Sequence, residues 1–257
     1  MRAVSVHRDA LVVTSRMWQT NATVLRAGAE AVLIDAPYFP DELEALPALL
    51  RQAGFEPDGL LATHADFDHL LGKLAFPDLP LGVGEETALR LRAEPGAAQR
   101  ALRDHDERHY VARPSPLSLG AVQALPVPGR LDVGDQELEL HAAEGHTADG
   151  CAVFARVIGV LAVGDYLSDV EIPMISAGGS VDAYRATLAR LAPLVEEAET
   201  IVPGHGAPRG RDETLRTLDE DVDYLDALER GAERPALPQG RSSGEQRRIH
   251  TENLRGL

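Results

Sequence analysis

Apolar and polar positions first alternate in short runs, then lengthen into helical periods. Residues 2–6, 11–15, 22–26 and 31–35 read as short antiparallel strands. Asp41-Glu42-Leu43-Glu44 opens a helix after Pro40, its acids placed where the helix dipole favours them, and Gly54 marks its end. Asp58 to Ala62 is expected as a strand, Leu70 to Ala75 as a short helix, Leu81-Gly82-Val83 as a strand and Glu85 to Ala93 as a helix. Residues 94–118 interrupt this rhythm: Pro95-Gly96 opens a charged helical stretch that ends at Pro114-Ser115-Pro116. Strands resume near 121–125, 137–142, 151–155 and 158–163. A helix follows from Val181 to Leu191, with Ser180 as N-cap, then a strand at 199–202 and a long helix from Asp212 to Arg230. Periodicity alone gives an α/β or α+β protein built from two similar halves. One domain is expected over residues 1–232, with 94–118 as a helical insertion. Residues 233–244, rich in Pro, Gly and Ser, read as a linker, and 245–257 as a tail with one more short helix.

The residues with chemical potential stand where apolar runs stop. Thr63-His64-Ala65-Asp66-Phe67-Asp68-His69 follows Gly59-Leu60-Leu61-Ala62 and places four donors, His64, Asp66, Asp68 and His69, within six residues. Imidazoles and carboxylates are the donors that a first-row divalent ion prefers. Three further signals come later: Gly145-His146-Thr147, Val163-Gly164-Asp165 and Pro203-Gly204-His205-Gly206. Together these segments supply seven donors, enough for two adjacent metals. Each has a plainer alternative. Asp66 or Asp68 caps the next helix, Asp165 caps another, and His146 and His205 are turn or loop histidines.

The combined pattern resembles the metallo-β-lactamase-fold hydrolase superfamily over roughly residues 10–210. One position departs: where the family has the second His of its His-x-His-x-Asp-His motif, this chain has Asp66. The resemblance implies an α+β, four-layer αββα sandwich with metals at one edge and the 94–118 insertion over that edge. By resemblance, His64, Asp66 and His146 hold one divalent ion, Asp68, His69 and His205 hold a second, and Asp165 bridges them. Zinc is the first expectation, with iron or manganese as alternatives. The implied chemistry is hydrolysis by a metal-bridging hydroxide, with Asp68 orienting the attacking water or passing a proton. A small ester, thioester or lactone is the preferred substrate class, because fold alone does not choose among them. Two other readings stand beside it. Flavodiiron proteins share the fold and carry an acid at the position of Asp66, which suggests a diiron oxygen- or nitric-oxide-reducing site lacking its flavin domain. A non-catalytic metal sensor is the third.

Composition narrows the partners. The net charge is −16, and only Lys73 among the 25 basic residues is lysine, so nucleic acid is not expected. No apolar run approaches a membrane span, and the first residues lack a secretory pattern. A cytoplasmic protein with a small-molecule substrate follows, and a homo-oligomer is compatible with it. Cys151, the single cysteine, reads as a small core hydrophobe. Asp35 and Asp149 either orient a ligand histidine or cap a turn. His105 and His109 share a helix face, expected to be solvated. Trp18, Tyr38, Phe67 and Tyr166 adjoin the motifs and line a pocket or belong to the core.

Overall fold

A computed structural model describes residues 1–232, 235 and 237–256. Of the expected linker, Glu233, Arg234 and Ala236 lie outside the described residues, as does Leu257 of the tail. The first half of the chain makes a sheet of seven strands lying side by side in chain order: β1 (Arg2–His7), β2 (Ala10–Thr14), β3 (Asn21–Ala27), β4 (Glu30–Ile34), β5 (Gly59–Ala62), β6 (Leu81–Gly84) and β7 (Val122–Leu125). The first four pair antiparallel through short turns, and β4 to β7 run parallel. The second sheet comprises β8 (Gly129–Val133), β9 (Gln136–Ala142), β10 (Cys151–Ala155), β11 (Val160–Ala162) and β12 (Thr200–Val202) in reverse order. Only its β11–β12 pair is parallel.

Alternation along each strand sends successive side chains to opposite faces. Ile34, Leu61, Val153 and Val202 pack between the two sheets. Their neighbours Leu33 and Leu60 face outward onto α1 (Pro40–Gln52), through Leu46 and Leu50. The same layer holds α2 (Gly72–Ala75), α3 (Glu85–Ala93) and α4 (Ala97–His109). Phe154 and Leu161 face the other way, onto Tyr184, Leu188 and Leu191 of α5 (Val181–Glu197) and Leu225 and Leu228 of α6 (Arg211–Glu229). Ser180 caps α5 as expected, its side chain accepting from the Ala183 N–H. The result is the α+β, four-layer αββα sandwich that the resemblance implies.

Some elements differ from the sequence reading. β8 is an additional strand; Pro126 and Pro128 precede it, and its alternation carries only Leu131 and Val133 as apolar residues. The strand expected at 158–163 is interrupted by a 3-10 turn over Arg156–Ile158, with Gly159 at φ 65°. Within 94–118, α4 is not solvated all round. Leu102, His105 and Asp106 are buried, and Arg113 ties back to Asp106 at 2.7 Å and to the Tyr38 carbonyl at 3.0 Å. His105 therefore leaves the solvated face that His109 keeps. Residues 244–256 form α7 (Gly244–Gly256), which docks on the core through Ile249. Arg241, buried ahead of it, pairs with Asp221 and Glu220 of α6. Among the described residues, no helix is long and apolar enough to cross a membrane.

Candidate metal centre

β4, β5, β11 and β12 deliver their C-terminal ends to one place. His64 comes two residues after β5, and Asp165 and His205 come three residues after β11 and β12. His146 lies in the β9–β10 connection. Asp66 begins a 3-10 turn, Phe67–His69, that carries Asp68 and His69. Asp66 holds the cap position of that turn but makes no capping hydrogen bond, so its carboxylate is free to face elsewhere.

The seven expected residues converge into groups that could each hold a metal ion: His64, Asp66 and His146; Asp68, His69 and His205; and His64, His69 and Asp165. Asp66 Oδ2 lies 3.8 Å from His64 Nε2 and 3.6 Å from His146 Nε2. Asp68 Oδ2 lies 3.5 Å from His69 Nε2 and 3.3 Å from His205 Nε2. Asp165 stands between the groups, with Oδ1 3.1 Å from His69 Nε2 and 3.4 Å from His205 Nε2. Its Oδ2 lies 3.3 Å from His146 Nε2 and 3.6 Å from His64 Nε2.

Nε2 of His64, His69 and His146 and Oδ1 of Asp165 are buried without a hydrogen-bond partner. Buried polar atoms are nearly always satisfied, so four unpartnered atoms converging on one space fit a cation. The far side of each ring supports this tautomer. His146 Nδ1 meets the Met174 carbonyl at 2.9 Å, which can only accept. His69 Nδ1 lies 2.9 Å from Asp35 Oδ2, and His64 and His205 place Nδ1 beside Thr63 and Thr20 hydroxyls at 3.1 and 3.3 Å. Partners at Nδ1 leave Nε2 for the centre, the arrangement of metal-binding histidine.

Electrostatics points the same way. Burial opposes charge on His146, yet Asp66 and Asp165 raise its pKa to about 9. Burial also opposes charge on Asp66, but His146, His64 and Arg90 hold its carboxyl well below the usual range. Burial and the neighbouring His69 push His64 down instead. Protons shared among clustered acids and imidazoles occupy the place that suits a cation, and metal binding would release them.

Backbone detail makes the close approach feasible. Gly204 packs against the centre: a Cβ there would lie 2.2 Å from Asp165 Oδ1 and 2.9 Å from His69 Cε1. Asp35, at φ 57°, accepts from the Thr63 N–H and hydroxyl, both at 2.9 Å, and so links β4 to the start of the ligand run. That places Asp35 behind His69. Asp149, by contrast, is no ring partner: its Oδ2 accepts from the Ala65 N–H at 2.8 Å and its Oδ1 from Arg90 at 2.7 Å.

Several supports carried no sequence signal. Asn21 donates its side-chain amide to the carbonyls of Pro203 at 2.8 Å and Gly206 at 2.9 Å, bracketing His205. Nothing in a strand-initial Asn marks that role. Arg90 and Met174 sit in segments without motifs. Of the aromatics, Tyr38 and Tyr166 are core residues: Tyr38 donates to Asp106 at 2.5 Å, and Tyr166 accepts from the His146 N–H at 2.9 Å. Trp18 and Phe67 are half-buried, and the Trp18 ring lies 6.2 Å from His205 and 4.4 Å from His105. Beside them, α3, α4 and residues 117–122 enclose a cavity of about 740 Å³ that Asp66, Phe67 and Arg90 border. Cys151 is buried between the sheets, its thiol pushed up to about 12 by that burial.

No curated protein matches the chain by sequence. Solved structures do match its fold. A metallo-beta-lactamase family protein from Thermus thermophilus superimposes with a TM-score of 0.68 at 20% identity, over 88% of this chain and 82% of that one. A metallo-beta-lactamase from Pontibacter korlensis gives 0.63 at 19% identity, over 85% and 97%. The protein TTHA1623, solved in a di-iron-bound form, gives 0.61 at 27% identity, over 80% and 97%. The family model of the metallo-beta-lactamase superfamily matches residues 16–205, a span that starts beside Trp18 and closes on His205. Sequence and fold thus agree, and the chain belongs to the metallo-beta-lactamase superfamily.

Proposed function

We propose that this chain is a metal-dependent hydrolase that cleaves a small ester, thioester or lactone. Proteins of this fold are typically hydrolases, which supports the reaction class. The observation that carries the reading is the convergence of His64, Asp66 and His146 and of Asp68, His69 and His205 on the two oxygens of Asp165. In this reading each set would hold one divalent ion, with the Asp165 carboxylate between the two sets. Bound there, the ions supply Lewis acidity and a nucleophile drawn from water at neutral pH. Asp68 is the proposed catalytic acid–base group: it is the carboxylate nearest His205, and it orients the attacking water and takes up its proton. Trp18 and Phe67 offer an apolar rim for an uncharged substrate body. The net charge of −16 weighs against nucleic acid and other polyanions.

Zinc suits the four imidazoles, while the oxygen of Asp66 leans toward iron or manganese. The likeness to TTHA1623 in its di-iron form favours a second reading, a diiron redox site fed by an external reductant. Metal analysis with an absorption spectrum separates them: two colourless zincs support hydrolysis, and two irons with a ferric-oxo band support the redox site. The metal-replete protein is then assayed against chromogenic esters, thioesters, lactones and phosphodiesters. His146→Ala and His205→Ala should each lose bound metal together with turnover. Full metal content and full turnover in both variants would overturn the assignment.

A further inference from the structure

Arg90 lies on α3, outside every motif, yet it spans two carboxylates behind the centre. Its Nη2 donates to Asp66 Oδ1 at 2.8 Å, and its Nη1 donates to Asp149 Oδ1 at 2.7 Å. Asp149 is buried and fixed in turn, its Oδ2 accepting from the Ala65 N–H at 2.8 Å. Ala65 stands between His64 and Asp66. The clamp therefore grips the ligand run twice, once by its main chain and once by the Asp66 side chain.

The two oxygens of Asp66 consequently have separate tasks. Oδ1 is engaged by Arg90, and Oδ2 faces His64 Nε2 and His146 Nε2 at 3.8 and 3.6 Å. A free carboxylate can offer both oxygens to a cation, whereas an imidazole offers one nitrogen. A carboxylate with one oxygen tied off presents a single donor, as the imidazole would. The guanidinium fork suits the task because its planar donors can meet two acids at once, which an ammonium on a flexible stem does less well.

We propose that Arg90 is a positioning residue for the metal centre: with Asp149 behind it, it restricts Asp66 to one donor oxygen, so that Asp66 and Arg90 together stand in for a histidine. This rests on the reading of His64, Asp66 and His146 as a metal-binding set. It explains why an acid at position 66 fits a site otherwise shaped for imidazole. It also requires that the importance of Arg90 depend on the residue at 66.

The test is a double-mutant cycle read by zinc affinity, measured by competition with a chromophoric chelator. The four proteins are the unaltered chain, Arg90→Gln, Asp66→His, and the two combined. Removing Arg90 beside Asp66 should weaken zinc binding about tenfold to a hundredfold, the usual cost of losing a partner that orients a ligand. In the Asp66→His background the same change should have little effect, because no carboxylate remains to be held. With cobalt in place of zinc, Arg90→Gln alone should weaken the visible bands, as the second oxygen of Asp66 raises the coordination number. Repeating the cycle with Asp149→Asn included removes the buried Asp149 carboxylate that Arg90→Gln would otherwise strand, and so protects against misfolding. Equal loss of zinc affinity in both backgrounds would mean a merely structural arginine and would overturn the inference. A folded, unaltered chain that binds no zinc, iron or manganese would instead overturn the metal-centre reading on which it rests.

Discussion

The two sides of the candidate centre face the same Asp165 but rest on different foundations. On the side of Asp68, His69 is aligned by Asp35, the residue that closes β4, and His205 is held by Thr20 and Asn21 at the start of β3. These supports belong to a sheet whose hydrogen-bonded ladders leave them little freedom. On the side of His64 and His146, Asp66 leans on an arginine from α3, and His146 donates to a carbonyl in an irregular segment. That segment is pinned from α7 and just ahead of it: Gln246 accepts from the Ile172 N–H at 2.8 Å, and Arg241 reaches the Glu171 carbonyl at 3.1 Å. Asn253 accepts from the Ile175 N–H at 2.9 Å and donates to the Pro173 carbonyl at 2.7 Å. A metal site is only as precise as what holds its ligands. The strand-backed side should tolerate distant change, and the other should respond to substitutions in a helix at the far end of the chain.

The sharpest test of this contrast strikes the strand-backed side at its base. Asp35→Ala removes the group aligning His69 and leaves the Thr63 N–H and hydroxyl without their acceptor. Metal affinity should fall about tenfold to a hundredfold on the Asp68 side, as expected for loss of a carboxylate behind a ligand histidine. Stepwise metal titration reads it, and two unaltered binding steps would show that His69 needs no such support.

A weaker effect is expected from acid acting on α4, which packs over the Phe67–His69 turn. His105 is buried against Trp18 and Tyr38, and burial with nearby His109 and Arg108 lowers its pKa from 6.5 to about 4. The folded chain therefore resists a proton that the unfolded chain accepts at about 6.5. This contribution to stability is complete above that pH and is lost as pH falls toward about 4. It is worth on the order of 2 kcal/mol. Denaturant midpoints of the metal-free protein and of His105→Gln, compared across that window, isolate it. Parallel pH dependences would remove His105 as the cause.

The smallest effect should be the most instructive. Asn253→Ala releases the segment around Met174 without touching any proposed ligand. Loss of its hydrogen bonds should cost about 1–3 kcal/mol. Metal affinity should weaken a few-fold on the His146 side and stay unchanged on the Asp68 side. Equal weakening of both sides would erase the contrast and make the tail a general stabiliser.

Much of the centre was legible before the fold was known. The apolar runs 31–34, 60–62 and 160–163 end abruptly in Asp35, Thr63-His64 and Gly164-Asp165, and a switch from apolar to polar is a local property of the chain. Strand alternation, the Ser180 cap and the dense donor run at 64–69 are local in the same sense. Six of the seven proposed ligands fall at such switches or between glycines, and the seventh, His146, directly follows Gly145. What escaped were the contacts outside the motifs that depend on which distant segments meet. The buried face of α4 exists because α4 covers Trp18 and the Phe67–His69 turn, whereas its own sequence is mostly polar. Residues 233–244 read as a linker and 245–257 as a tail, yet Arg241 of the one and Gln246 and Asn253 of the other are buried because carbonyls, N–H groups and acids elsewhere await them.

By itself, then, the sequence determined most of the strands and helices, the donors and their order along the chain, since hydrophobic period and residue chemistry act over a few neighbours. Only the tertiary structure decided that Asn21 would bracket His205 by meeting the Pro203 and Gly206 carbonyls, 182 and 185 residues away, and that Arg90 would take one oxygen of Asp66. Such contacts depend on how two sheets stack and where their loops converge. A polar side chain acquires its role there from the unsatisfied groups it meets, and no local pattern encodes those groups.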